Sequence, residues 1–162
     1  PQKKTFYRLS LEKSIHQWYD YCMENKLKRT YTTVSMINYH FVFCPRYRRK
    51  IFQIEGVEER FKELTAEFCS SIGVDILAME CHIDHVHLFV QGLPKISPSD
   101  LIHQIKGATS FKLRQEFPQL SQMPSLWTRS YFVSTAGNVS SKTIEMYINS
   151  KKQGGESVGQ DV

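Results

Sequence analysis

The sequence predicts an α+β domain: an antiparallel sheet with helices on one face and one further helix towards the C-terminal end. Two observations carry that prediction. Segments of strand period and helix period alternate in the order β-α-β-β-α-β-α. The chain has 162 residues, 41% of them hydrophobic, which suits one domain with one core.

Residues 1–29 read as an N-terminal extension. Leu11, Ile15, Trp18, Tyr19, Cys22 and Met23 keep a loose helical rhythm before a basic end, so an appended helix is expected. VSMINYHFVF, 34–43, is rich in β-branched and aromatic residues and stops short of Pro45, as a strand does. VEERFKELTAEFCSSIG, 57–73, sets Val57, Phe61, Leu64, Phe68 and Ile72 near the helical period and ends at Gly73, a common helix stop. VDILAMECHI, 74–83, and HVHLFVQGL, 85–93, flank Asp84 as paired strands. SPSDLIHQIKGATSFKLRQEFP, 97–118, opens with the Ser, Pro and Asp signals of a helix start and closes at Pro118. RSYFVSTAG, 129–137, is the fourth strand. VSSKTIEMYINSKK, 139–152, begins with serines suited to an N-cap and reads as the last helix. From residue 153 the chain is glycine-rich and polar, and a disordered tail is expected. Residues 30–152 thus form the working domain, a ferredoxin-like (RRM-like) βαββαβ pattern plus a C-terminal helix. Many unrelated activities use that scaffold, so function has to be read from the residues it carries.

Composition narrows the classes. Lys and Arg number 21 against 16 Asp and Glu, giving a net charge of +5. A mildly basic domain is compatible with nucleic-acid binding and equally with an ordinary basic protein. Cys22, Cys44, Cys69 and Cys81 are scattered and form no C-x-x-C pair, which argues against a zinc finger or a disulfide framework. A reducing, cytoplasmic compartment is expected. The opening PQKKTFYRLS has no apolar run of the signal-peptide kind. No segment approaches the ~20 consecutive apolar residues that cross a bilayer.

Three groups of residues could carry chemistry. His85 and His87 are i and i+2 on a strand, so both imidazoles leave the same face while Val86, Leu88 and Val90 point into the core. Two neutral imidazoles at that spacing can share one divalent metal, and the same pair can equally be two polar residues on a wet sheet face. His82, before the turn, either joins them or sits nearby. In the last helix Tyr147 lies beside the Ile144/Ile148 stripe, with Lys151 one turn above it. A helical tyrosine on such a stripe is usually a packing residue. A phenol of pKa near 10 is a poor nucleophile unless its target is strongly polarised. Finally, cations interleave with rings. Arg46, Arg48, Arg49 and Lys50 surround Tyr47. Lys106, Lys112 and Arg114 follow in the second helix, though Lys106 and Lys112 share no helical face. Trp127 and Arg129 precede the last strand. Cations for phosphates and rings for bases suit single-stranded nucleic acid, whereas the bland reading is a solvated face over core aromatics.

Taken in order, YHFVFCPRYRRKIF, MECHIDHVHLFV, IKGATSFKLRQEFPQL, LWTRSYFVST and IEMYINSKK resemble the single-tyrosine HUH transposases. These are the TnpA-type enzymes of the smallest bacterial and archaeal insertion sequences. HUH stands for His-hydrophobic-His, here His85-Val86-His87. The resemblance covers residues 30–152 and leaves out the N-terminal extension. It implies a metal-dependent single-stranded DNA transposase that cleaves and rejoins insertion-sequence ends through a 5′-phosphotyrosine link. By that analogy His85 and His87 hold Mg²⁺ or Mn²⁺ on the scissile phosphate and Tyr147 attacks the phosphorus. The resemblance also implies a homodimer, with the tyrosine helix working on the partner's histidines, DNA hairpins at the element ends as targets, and a prokaryotic, nucleoid-associated setting. Two other readings stay open. One is a domesticated single-stranded DNA- or RNA-binding relative with weak or lost strand transfer. The other, a replication or relaxase initiator, is disfavoured by the compact chain.

One position departs from the family pattern. The residue four after the tyrosine, typically a Gln or Asn that supplies the third metal ligand, is Lys151. A charged ammonium has donors and no lone pair, so it cannot ligate a cation. Asn149 and Gln153 stand ~200° and ~240° round a regular helix from Tyr147 and do not replace it. Three arrangements follow: the two histidines, water and phosphate hold the metal alone; the ammonium takes over part of the charge neutralisation; or the enzyme is weak or retired. The first of these predicts that Lys151→Gln tightens Mn²⁺ binding in a calorimetric titration, whereas an unchanged affinity removes Lys151 from the site.

Overall fold

The computed structural model describes residues 27–136 of the chain. The expected helix within the N-terminal extension, the last helix with Tyr147 and Lys151, and the tail from Gln153 lie outside the described residues. The chain divides between Met36 and Ile37 into two compact units. In the first, β1 (Lys28–Arg29) pairs antiparallel with β2 (Val34–Ser35). Thr30 closes the turn between them: its N–H donates to the Thr33 carbonyl at 2.8 Å, and its hydroxyl oxygen accepts from the Thr33 N–H at 3.1 Å.

The second unit holds the main sheet. β3 (Asn38–Phe43), β4 (Asp75–Cys81), β5 (Val86–Gln91) and β6 (Phe132–Ala136) lie in the order β4-β5-β3-β6, each neighbouring pair antiparallel. α1 (Val57–Ser71) connects β3 to β4, and α2 (Pro98–Glu116) connects β5 to β6. Both connections skip one strand, which puts β3 and β5 at the centre: the ferredoxin-like arrangement the sequence predicts. A four-residue helix, α3 (Pro118–Ser121), follows α2.

Local chemistry sets these bounds. The expected strand 34–43 is in fact two pieces, because β5 ends at Gln91 and the chain turns away at Gly92. The Gly92 N–H still donates to the Ile37 carbonyl at 2.7 Å, and the pairing of β3 with β5 begins at Asn38. Gly92 is needed there: a Cβ would stand 2.9 Å from the Tyr39 ring. α1 stops where Gly73 takes φ +75°, which costs glycine nothing. α2 starts at Ser97, whose hydroxyl accepts from the Asp100 N–H at 3.0 Å, with Pro98 in the first turn. It ends before Pro118, which disfavours helical geometry at Phe117.

The helices cover one face of the sheet. Tyr39, Phe41 and Phe43 of β3 and Val86, Leu88 and Val90 of β5 are buried in one cluster with Val57, Phe61 and Leu64 of α1 and Leu101, Ile102 and Ile105 of α2. Alternation then sends His40 and Val42 of β3, and His87 and Phe89 of β5, to the opposite face. β4 carries a bulge between Ile76 and Ala78. Beyond it Met79 and Cys81 pack on the core, while Glu80 pairs with His87 on the far face.

One end of the core is aromatic. Phe43, Phe61 and Trp127 meet edge-on or tilted, with centroids 5.1 to 6.3 Å apart. The Trp127 indole N–H donates to the Thr109 hydroxyl at 3.1 Å. Trp127 also bridges Pro45, and the flanking backbone is tied by Arg46 N–H to the Leu126 carbonyl (2.8 Å) and Thr128 N–H to the Cys44 carbonyl (3.1 Å). Phe61 lies fully inside this cluster. Phe61→Ala is therefore expected to lower unfolding stability by ~3–5 kcal/mol, measured by urea denaturation.

Candidate metal centre

The β4–β5 turn assembles the site. The His82 N–H donates to the His85 carbonyl at 2.8 Å, leaving a two-residue loop, Ile83-Asp84. His82 and His85 are therefore a cross-strand pair, and their rings stack at 4.5 Å with planes 13° apart. His87, two residues on, faces the same way; its ring lies 5.0 Å from His85 and 5.4 Å from His82. One ligand atom from each of the three lies within 4.8 Å of the other two. All three side chains are half-buried. The common face of His85 and His87 follows from the two-residue period alone. The place of His82 needs the loop length as well: H-I-D-H fits a hairpin whose first and last residues are opposite each other, and that was the signal available in the sequence.

A second layer of groups fixes the rings. His85 Nδ1–H donates to Asp84 Oδ1 at 2.7 Å, and Arg48 Nε–H donates to Asp84 Oδ2 at 2.8 Å. The Arg48 guanidinium, and after it His85, hold the Asp84 carboxyl at a pKa of about 2. On the other side His87 Nδ1 and His40 Nε2 share a hydrogen bond of 3.0 Å, with the rings nearly parallel. Burial pushes the His40 pKa down, which keeps a lone pair on that ring for the bond. With both Nδ1 atoms engaged, a metal would be met by Nε2 of His85 and of His87. Such carboxylate–histidine and histidine–histidine contacts orient ligands and settle their tautomers. Converging imidazoles suit borderline cations such as Zn²⁺ best; Mn²⁺ would be held more weakly, and both Mn²⁺ and Mg²⁺ favour oxygen donors and would keep water or phosphate oxygens in the remaining positions. Neither His40 nor Asp84 carries a signal by spacing. Both are brought in by strand pairing and by the loop after β3.

The basic residues separate into several environments. Arg48, Arg49 and Lys50 are exposed in the loop after β3, and the Arg48–Asp84 bond ties that loop to the histidine hairpin. Tyr47 and Arg48 take left-handed backbone angles, φ 60° and 50°, which cost a non-glycine residue ~1–3 kcal/mol each and hold the Tyr47 ring 70% exposed. Arg46 lies over that ring, 5.1 Å from its centroid, and donates to the Ser125 hydroxyl at 3.0 Å. Arg46, Tyr47, Trp127 and Arg129 line a cleft of about 530 Å³. Lys112 is exposed on α2, whereas Arg114 donates to the Ser121 carbonyl at 3.2 Å and braces α3. Lys106 and Trp127, read from the sequence as contacts for nucleic acid, are only 6% and 5% exposed. The Lys106 ammonium donates to the Arg129 and Ser130 carbonyls at 3.2 and 3.4 Å, and burial lowers its pKa. Its first role is to hold the segment leading into β6. Trp127 likewise belongs to the core, with one edge on the cleft.

Comparison with known proteins places this geometry. A family model described as "Transposase IS200 like" matches residues 33–151. The ISDra2 transposase TnpA of Deinococcus radiodurans is 29% identical over 132 residues, which cover 80% of this chain and 92% of that protein. The transposase for insertion sequence element IS200 of Salmonella typhimurium is 34% identical over 113 residues, 68% of this chain and 73% of that one. Among solved structures, a Deinococcus radiodurans protein assigned as a transposase superposes with a TM-score of 0.63 at 26% identity, covering 76% of this chain and 97% of its own. A REP-associated tyrosine transposase bound to a REP hairpin shares the fold, with a TM-score of 0.54 at 13% identity, covering 78% of this chain and 74% of its own. No helix among the described residues is long and apolar enough to cross a membrane.

The Asp84 contacts yield two checks on one variant. Asp84→Asn loses the charge that orients His85 and is expected to weaken Mn²⁺ binding ~10–100-fold by calorimetry. Because folding depresses the Asp84 pKa from 3.8 to about 2, its contribution to stability is present above pH 3.8 and lost as the pH falls towards 2. The stability gap between wild type and Asp84→Asn should therefore shrink across that window in acid-denaturation curves.

Proposed function

The chain belongs to the IS200-like transposase family, and on that premise we propose that it is a metal-dependent transposase of single-stranded DNA, cleaving and rejoining insertion-sequence ends through a 5′-phosphotyrosine intermediate. The observation that carries the proposal is the convergence of His85 and His87 on one hairpin face, with Arg48 binding the carboxylate beside them. In this reading His85 and His87 hold the cation. When bound, Mg²⁺ or Mn²⁺ supplies Lewis-acid neutralisation of charge on the non-bridging oxygens of the scissile phosphate.

The chain's own groups do the rest. The phenol oxygen of Tyr147 attacks the phosphorus in line and gives up its proton, the P–O3′ bond breaks, and a free 3′-hydroxyl leaves. The strand stays attached through its 5′ phosphate to the tyrosine, so a second 3′-hydroxyl can reverse the step on a new strand with no outside energy source. Arg49, Lys50, Lys112 and Arg129, all exposed, supply cations for the backbone phosphates, and the projecting Tyr47 ring offers a surface on which a base can stack. Arg46 braces that ring. The reading includes a homodimer in which the tyrosine helix serves the partner's histidines, DNA hairpins at the element ends as targets, and a cytoplasmic, nucleoid-associated location.

The second reading, a binding module without strand transfer, is favoured by one observation only, Lys151 at the position where an amide ligand is expected. One experiment separates the two. The protein is incubated with single-stranded DNA carrying its element ends and Mn²⁺ or Mg²⁺, then run on a denaturing gel. A covalent adduct that disappears in Tyr147→Phe is the expected result; retained DNA binding with no adduct under either metal establishes the module instead.

A further inference from the structure

We infer that His82 is the third metal ligand, so that the cation is held by three imidazoles of one β-hairpin and not by a residue of the tyrosine helix. The inference rests on the reading of His85 and His87 as ligands and deepens it. Three observations lead to it. His82 is fixed opposite His85 by the His82 N–H to His85 carbonyl bond, so its position is set by the hairpin and not by a flexible side chain. Its ring is within reach of both others: one ligand atom of each of the three lies within 4.8 Å of the other two. Three nitrogens 2.0–2.2 Å from one shared ion lie no more than about 3.8 Å apart when evenly spaced, so the rings need to close on one another by about an ångström. Finally, the two rings beside it are already oriented by outer contacts, Asp84 holding His85 by Nδ1 and His40 holding His87 by Nδ1, so His82 joins a pair whose direction is set.

The donor set explains the chain's departure at Lys151. A site that draws three protein ligands from residues 82–87 does not need a helix amide to complete the set, and a lysine there costs it no ligand. It also separates two events that a helix-borne ligand would couple. Metal binding becomes a property of the sheet, independent of where the helix carrying Tyr147 sits, including on which protomer.

The test uses the full chain and Mn²⁺ alone, titrated by calorimetry into wild type, His82→Ala, His87→Ala and Lys151→Gln. The expected result is one Mn²⁺ per chain, lost in His87→Ala, weakened more than ~10-fold in His82→Ala, the scale that loss of even an outer-shell partner produces, and unchanged in Lys151→Gln. Wild-type affinity in His82→Ala with loss in His87→Ala overturns the inference and leaves the two-histidine reading standing. Tightening in Lys151→Gln with no change in His82→Ala overturns it in the same way. Wild-type affinity in both histidine variants overturns the inference together with the metal reading beneath it. A measurement without substitution guards against misfolded variants. Imidazole ¹H–¹⁵N spectra of the wild type, titrated with Zn²⁺, should shift the ring nitrogens of His82, His85 and His87 together, with exposed His103 as the unshifted reference; a His82 signal that stays still with His103 overturns the inference.

Discussion

The antiparallel register between β4 and β5 is the constraint on which the rest of the site depends. Residues directly opposite each other in such a pair share a face, so once His82 and His85 close the turn, His87 and Glu80 are bound to stand beside them. Everything placed on that face is held by backbone hydrogen bonds of a central strand. The side that carries Val86, Leu88 and Val90 is sealed against the helices, which fixes the register far more firmly than the polar face could by itself. The core, in this sense, is what makes the histidines a constellation.

The second requirement is to bring cations to that face without disordering it. The loop after β3 does so under tension. Pro45 and Trp127 tie its start to the 126–128 segment, two left-handed residues turn it outward, and Arg48 returns to Asp84. The aromatic packing of Phe43, Phe61 and Trp127 beneath the loop is the rigid base against which the strain is held. Lys106 performs a related service, using a buried ammonium to satisfy two carbonyls ahead of β6. A charge that looks from the sequence like a contact for a phosphate is, in the folded chain, a structural pin.

How legible was this in the sequence? The element order was, because helix and strand periods alternate cleanly and the breaks fall at Gly73, Pro118 and the Ser97-Pro98 start. The shared face of His85 and His87 was, because two-residue alternation is local. What could not be read depends on partners far apart along the chain. The bond between His40 and His87 needs the β3–β5 register. Arg48 on Asp84 needs the path of a loop. The burial of Lys106 and Trp127 needs the helix α2 to be seen against the segment before β6. The single strand expected over 34–43 failed for the same reason: its composition suits a strand throughout, but Val34 and Ser35 pair locally with β1, and β3 begins only at Asn38.

The bulge in β4 has a consequence that reaches to the end of the strand. Counting by twos from Ile76, which faces the core, would carry Ala78, Glu80 and His82 into the helices. The extra residue at Leu77 inverts the phase, so that Met79 and Cys81 take the inner positions and the even-numbered residues emerge outside. One supernumerary amino acid thus acts as a parity switch five residues upstream of the imidazole it exposes. The stretch from Ile76 to His82 is for that reason a single unit, in which adding or losing one strand residue would trade a histidine for a piece of the core.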